Sequence, residues 1–125
     1  MNDQNRFEKG LDTQGGIFGR DHILKMHESA AEGEKGLIVD DLTAWCFGDY
    51  YTRENISIKD RELITFASIA AHVIKIGRAQ LKAHIAANLS VGATKQNLTD
   101  ALRVADPLLG FPRTLNALGL VRAAK

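Results

Sequence analysis

Residues 57–77 read SIKDRELITFASIAAHVIKIG, and the apolar pattern of this run decides the fold class. Ser57 and Asp60 stand three apart at its start, the spacing of a capping box. In that motif a hydroxyl and a carboxylate satisfy backbone N–H groups that a helix start leaves open. From Arg61 the run continues as a helix for about five turns to Gly77. Leu63, Ile64, Phe66, Ala67, Ile69, Ala70, Val73 and Ile74 cover far more than one stripe of it. A helix apolar around most of its girth is central to its fold or lies at a subunit contact.

Toward the C-terminus, a second helix spans Arg78 to Leu89 and stops at Gly92. Thr94 caps a third, KQNLTDALRVAD, which Pro107 is expected to end because its ring cannot continue the backbone ladder. GFPRTLNALGLVRAAK starts again with Pro112 near the first helical position, where a missing N–H does no harm. Leu115, Leu118 and Val121 are its expected buried face. Toward the N-terminus, LIVDDLTAWCFGDYY sets Ile38, Leu42 and Trp45 at i, i+4 and i+7 of a helix that Gly48 ends. GRDHILKMHESAAEGEKG holds a short helix, and DQNRFEKGL another that stops before the turn-like DTQGG. No stretch alternates as a strand would. The reading is an all-α chain forming a single domain over residues 1–125.

Composition narrows the function classes. Of 125 residues, 45% are hydrophobic and 25% charged, ordinary for a globular protein, and the formal net charge of +1 provides no field for nucleic acid or an anionic membrane. The polar start MNDQNRFEKG has no apolar signal core, and the longest apolar run is shorter than the ~20 residues a bilayer needs. Cys46 is the only cysteine, which excludes an intramolecular disulfide and fits a reducing cytoplasm. His22 and His27 are five apart, wrong for one helical face, so no metal is expected. GGIFG matches a phosphate loop only in its glycines, with no Lys-Ser/Thr after it.

Four segments in order, FGDYYTR, ISIKDRELITFASIAA, QLKAHIAANLSVGATKQNLTDAL and GFPRTLNAL, resemble the carboxymuconolactone decarboxylase family, which also contains the alkylhydroperoxidase D-like proteins. The resemblance is strongest over residues 45–121. It implies a helical bundle assembling into a ring-like homo-oligomer, a hexamer or trimer. The peroxidase branch of that family uses a C-x-x-C pair whose second cysteine precedes a histidine by four residues. Here those two positions hold Gly77 and Gln80, so the thiolate chemistry of that branch has no nucleophile there. The decarboxylase branch keeps a histidine in LK-x-H, matched by His84, and an Arg-Glu pair opening the central helix, matched by Arg61 and Glu62. Val104 and Leu108 stand where those decarboxylases often carry a second histidine and a tyrosine. The resemblance therefore names no particular substrate.

Each candidate residue has a structural reading beside the functional one. Glu62, reaching His84 across two packed helices, would orient the ring as an acid or base; a carboxylate in a first helical turn also suits the helix dipole alone. Gln80 and Asn88 flank His84 by one turn on either side, widening its polar face. Arg53, Arg61 or Arg113 would hold a substrate carboxylate through paired hydrogen bonds, or lie solvated. Thr65, Ser68 and His72 fall within about 60° on the central helix and would line a pocket or a subunit contact.

Three functions follow. The first is a cofactor-free carboxy-lyase acting on a small cyclic or unsaturated carboxylic acid, with His84 as proton donor, Glu62 orienting it, and Arg61, Arg53 and Gln80 binding substrate. The second is a peroxide- or thiol-linked antioxidant enzyme using Cys46. The third is a helical oligomer that binds a ligand without catalysis.

Overall fold

The computed structural model describes residues 3–74 and 77–125, and every regular element among them is helical. The all-α class therefore holds. The chain divides into two compact units, Met1–Ile56 and Ser57–Lys125.

In the first unit, α1 (Asp3–Phe18) and α2 (Arg20–Ser29) are followed by a single 3₁₀ turn at Glu32–Glu34 and by α3 (Gly36–Tyr50), a helix with π-type bonding. Helix α1 passes straight through Gly15 and Gly16 rather than ending at DTQGG. Its inward residues explain this: Gly10, Leu11, Gln14 and Ile17 are buried at helical spacing, so the face continues across the glycines. Each interior glycine costs about 1 kcal/mol relative to alanine, less than the packed face contributes. The reversal comes at Gly19, whose φ of 97° suits glycine.

Helix α3 does not end at Gly48 either. It runs on to Tyr50, and Tyr51 N donates to Cys46 O at 3.0 Å, an i→i−5 bond. Widened turns place residues four to five apart on one side, so the buried face is Thr43, Ala44, Phe47 and Gly48. Trp45, expected inside from a 3.6-residue period, is 50% exposed and packs edge-on against Tyr50. Glycines set the approach of α1 to α3. A Cβ at Gly48 would lie 2.6 Å from Arg6 O, and one at Gly10 would overlap the carbonyl oxygen of Thr43. Arg6 adds an ion pair with Asp49, Nη2 to Oδ2 at 2.6 Å, which holds that carboxyl below its usual range.

The second unit contains α4 (Ile58–Ala70), α5 (Arg78–Ser90), α6 (Lys95–Leu109) and α7 (Phe111–Ala123). Ser57 Oγ accepts from Asp60 N at 3.0 Å, and Thr94 with Asn97 completes a reciprocal capping box on α6. Phe66, Ala70, Val73, Leu81, Ile85, Leu98, Leu102, Ala117, Leu120 and Val121 form one core, which all four helices reach. Helix α4 stops at Ala70, short of the expected Gly77. Its end tightens to i→i−3 bonds from His72 and Val73, and the run His72-Val73-Ile74 consists of weak helix formers. Lys75 and Ile76, the end of the expected helix, lie outside the described residues.

Pro107 does not end α6. It sits in the last turn, where its missing N–H removes one ladder bond, and the helix closes at Gly110, which donates to Asp106 O. On α7 the buried residues are Thr114, Ala117, Leu120 and Val121, while Leu115 is 59% exposed. Small side chains let α7 lie close against the core, and that rotates the expected face by about one residue.

Candidate functional site

Packing α4 against α5 brings Glu62 to His84. Glu62 Oε1 and His84 Nδ1 are 2.8 Å apart, although 22 residues separate them in sequence. Glu62 stands in the second turn of α4, beyond the reach of the helix dipole, and its side chain is fully enclosed. The acidic residue of the first turn is Asp60. A carboxylate taken out of water must be hydrogen-bonded to remain charged, and the imidazole is such a partner. With Glu62 ionised, Nδ1 carries the hydrogen and donates it, so the ring turns Nε2 away from the carboxylate. The His84 side chain is 13% exposed.

Asn88, one turn beyond His84, is fully buried. Its Nδ2 donates to the main-chain oxygens of Glu62 at 2.9 Å and of His84 at 2.7 Å. Its Oδ1 is enclosed without a hydrogen-bond partner. Sequence reasoning placed Asn88 on the polar face of His84 but not in contact with α4. Nothing in local spacing reports a bond to a carbonyl on another helix.

The remaining candidates disperse. Gln80 is exposed, one turn before His84, and Arg61 is half-buried beside Glu62. Arg53, in the first unit, is exposed and stacks its guanidinium over the Tyr50 ring at 4.3 Å. Arg113 is half-buried at the start of α7. Thr65 donates to Arg61 O on its own helix, and His72, just past the end of α4, bonds to Ser68 O one turn back. Cys46 is half-buried on α3 and forms no disulfide. Among the described residues no three His, Cys, Asp or Glu side chains gather closely enough to hold a metal. No described helix is long and apolar enough to cross a membrane.

Two larger grooves open on the second unit. One of about 610 Å³ lies between α4 and α6 and is lined by Leu63, Ile64, Ala67 and Val104 among others. One of about 530 Å³ lies between α5 and α7, with Lys82 and Lys125 beside Ile85, Leu89 and Leu120. His84 lines neither.

The first unit holds a polar cluster that sequence reasoning missed. Thr43 Oγ1 donates to Gln14 Oε1 at 2.6 Å and meets His27 Nε2 at 2.8 Å. A hydroxyl has one hydrogen, so His27 Nε2 donates in turn. Gln14 and Thr43 are both buried. Burial pushes the His27 pKa below its ordinary value.

Residues 37–123 fit the Carboxymuconolactone decarboxylase family, and the chain belongs to it. It is also similar to a 4-carboxymuconolactone decarboxylase of Acinetobacter baylyi (strain ATCC 33305 / BD413 / ADP1). The two are 24% identical over 119 residues, which cover 94% of this chain and 85% of that protein.

Proposed function

We propose that this protein is a carboxy-lyase acting on a small cyclic or unsaturated carboxylic acid whose carboxylate is borne on a carbon alpha, directly or through a conjugated double bond, to a carbonyl. The reading rests on family membership, on the decarboxylase activity of the Acinetobacter relative, and above all on the 2.8 Å contact between His84 and Glu62. In such a reaction the bond between the carboxylate carbon and its neighbour breaks. Neutral CO₂ leaves, and the electron pair passes into the carbonyl as an enolate. A proton must then reach carbon. His84, protonated on both nitrogens, delivers it from Nε2 while Nδ1 stays bonded to Glu62, and the negative carboxylate stabilises the cationic ring before transfer. Arg61, adjacent to Glu62 on α4, is the cation of this unit proposed to hold the substrate carboxylate, with Gln80 contributing a polar contact.

The exposed side chains of Val104, Leu108 and Phe111, each more than two-thirds exposed, support a homo-oligomer, hexamer or trimer, in which further copies cover them. Light scattering on the purified chain reads this directly, and a monodisperse monomer would remove it. The activity is tested by incubating the purified protein with a carboxylated lactone and following CO₂ release. Turnover by the native chain, with His84→Ala folded but inactive, is the expected result. Unchanged turnover in His84→Ala would take that residue out of the mechanism.

A further inference from the structure

We infer that Asn88 is the positioning residue of the Glu62–His84 pair: its single carboxamide nitrogen ties the backbones of both residues together and so holds the ring at the carboxylate. The inference rests on the proposed function only for its kinetic consequence, because the geometry exists whatever the substrate. A side-chain amide has two N–H bonds in one plane, diverging by about 120°. Asn88 spends one on Glu62 O at 2.9 Å, across to α4, and the other on His84 O at 2.7 Å, along α5. Both acceptors are the main-chain oxygens of the two residues whose side chains meet. Fixing those oxygens against one rigid plane fixes the separation and register of α4 and α5 at this level. The side chains of Glu62 and His84 then need only ordinary rotamers to close to 2.8 Å.

The amide has only one workable orientation. Reversed, Oδ1 would face two carbonyl oxygens, acceptor against acceptor. In the observed orientation Oδ1 is left enclosed and unpartnered, so the fold retains a buried acceptor in order to keep both donors engaged. Asparagine is also a weak helix former. A purely structural position of this size, fully buried beside Ile85 and Ala87, would be filled as well by leucine.

The test reads the ring itself. Nitrogen-15 spectra of the histidines are recorded through the neutral pH range for the native chain, Asn88→Ala, Asn88→Ser and Val121→Ala, with folding checked by circular dichroism. Val121 is core of the same unit and takes part in neither carbonyl bond, so it controls for general loosening. The expected result is that the neutral ring of His84 exists as one tautomer, Nδ1–H, in the native chain and in Val121→Ala. In Asn88→Ala the ring signals move toward a mixture of tautomers, and the Nδ1 proton exchanges about tenfold faster. Asn88→Ser, which keeps one donor, falls between. Ring signals and titration unchanged in Asn88→Ala, or shifted equally by Val121→Ala, would overturn the inference. Should Asn88→Ala fail to fold, Asn88→Ser is judged by the same two criteria. With a carboxylated lactone as probe, kcat of Asn88→Ala falls roughly a hundredfold with KM little changed, the signature of a displaced catalytic group rather than lost binding. A native chain that turns over no such lactone would sink the decarboxylase reading and leave the ring spectra to decide on Asn88.

Discussion

The two units each hold a half-buried histidine in a polar cluster, and the clusters differ in the charge of the histidine's partner. His27 meets a hydroxyl, Thr43, backed by a carboxamide, Gln14; His84 meets a carboxylate, Glu62, backed by a carboxamide, Asn88. Neutral partners satisfy a neutral ring and add nothing to a charged one, so burial works against protonation of His27. At His84 the partner is a carboxylate, which accepts at Nδ1 and leaves Nε2 turned away from it. The same side chain is thus a packing element in one place and a candidate acid in the other, and the partner's charge makes the difference.

The contrast breaks most visibly at Glu62. Glu62→Gln would give His84 a neutral partner of the kind His27 has, and turnover of a carboxylated lactone should fall by about 10²-fold or more with the fold intact. Retained activity would show that the charge is not what matters. In the first unit, Thr43→Val deletes the hydroxyl that joins Gln14 to His27 and takes that partner from the buried Gln14 oxygen and the half-buried His27 ring. The chain should lose about 1–3 kcal/mol in denaturant unfolding, with no direct effect on chemistry at His84. Thr94→Ala removes one half of the reciprocal cap on α6 and should cost about 1 kcal/mol in the same measurement.

The smallest expected effect is on pH dependence. The folded-state pKa of His27 lies below the ordinary value of 6.5, so between the two the unfolded chain binds more protons than the folded one. Its contribution to stability is complete above about 6.5 and is lost as pH falls toward the folded value. His27→Gln should flatten that part of the stability profile. An unaltered slope would mean that another group carries it.

Much of the second unit was legible in the sequence because its signals are local. Ser57 and Thr94 are hydroxyls one position before apolar periodicity, and Pro112 and Gly92 mark a start and a stop by their own backbone chemistry. The first unit was less legible. Gly15 and Gly16 read as a turn, yet the residues on either side of them bury one continuous face. The phase of α3 was hidden as well, since a pattern scored at 3.6 residues per turn cannot report i→i+5 bonding. Leu115 and Ala117 suit the inward face of α7 equally by periodicity; the shape of the core they meet chose the smaller.

By itself the sequence determined the helical class, the caps at Ser57 and Thr94, the start at Pro112, the stop by Gly92, and the residue types from which an acid–base pair could be made. Those follow from the nearest neighbours along the chain, where hydroxyls, prolines, glycines and spacing act over one or two turns. Only the tertiary structure decided that Glu62 touches His84, that Asn88 spans both backbones, and that Thr43 joins Gln14 to His27. Each of these contacts links residues on different helices, and its formation depends on how closely and at what rotation the helices pack. That is set by the summed shape of many side chains.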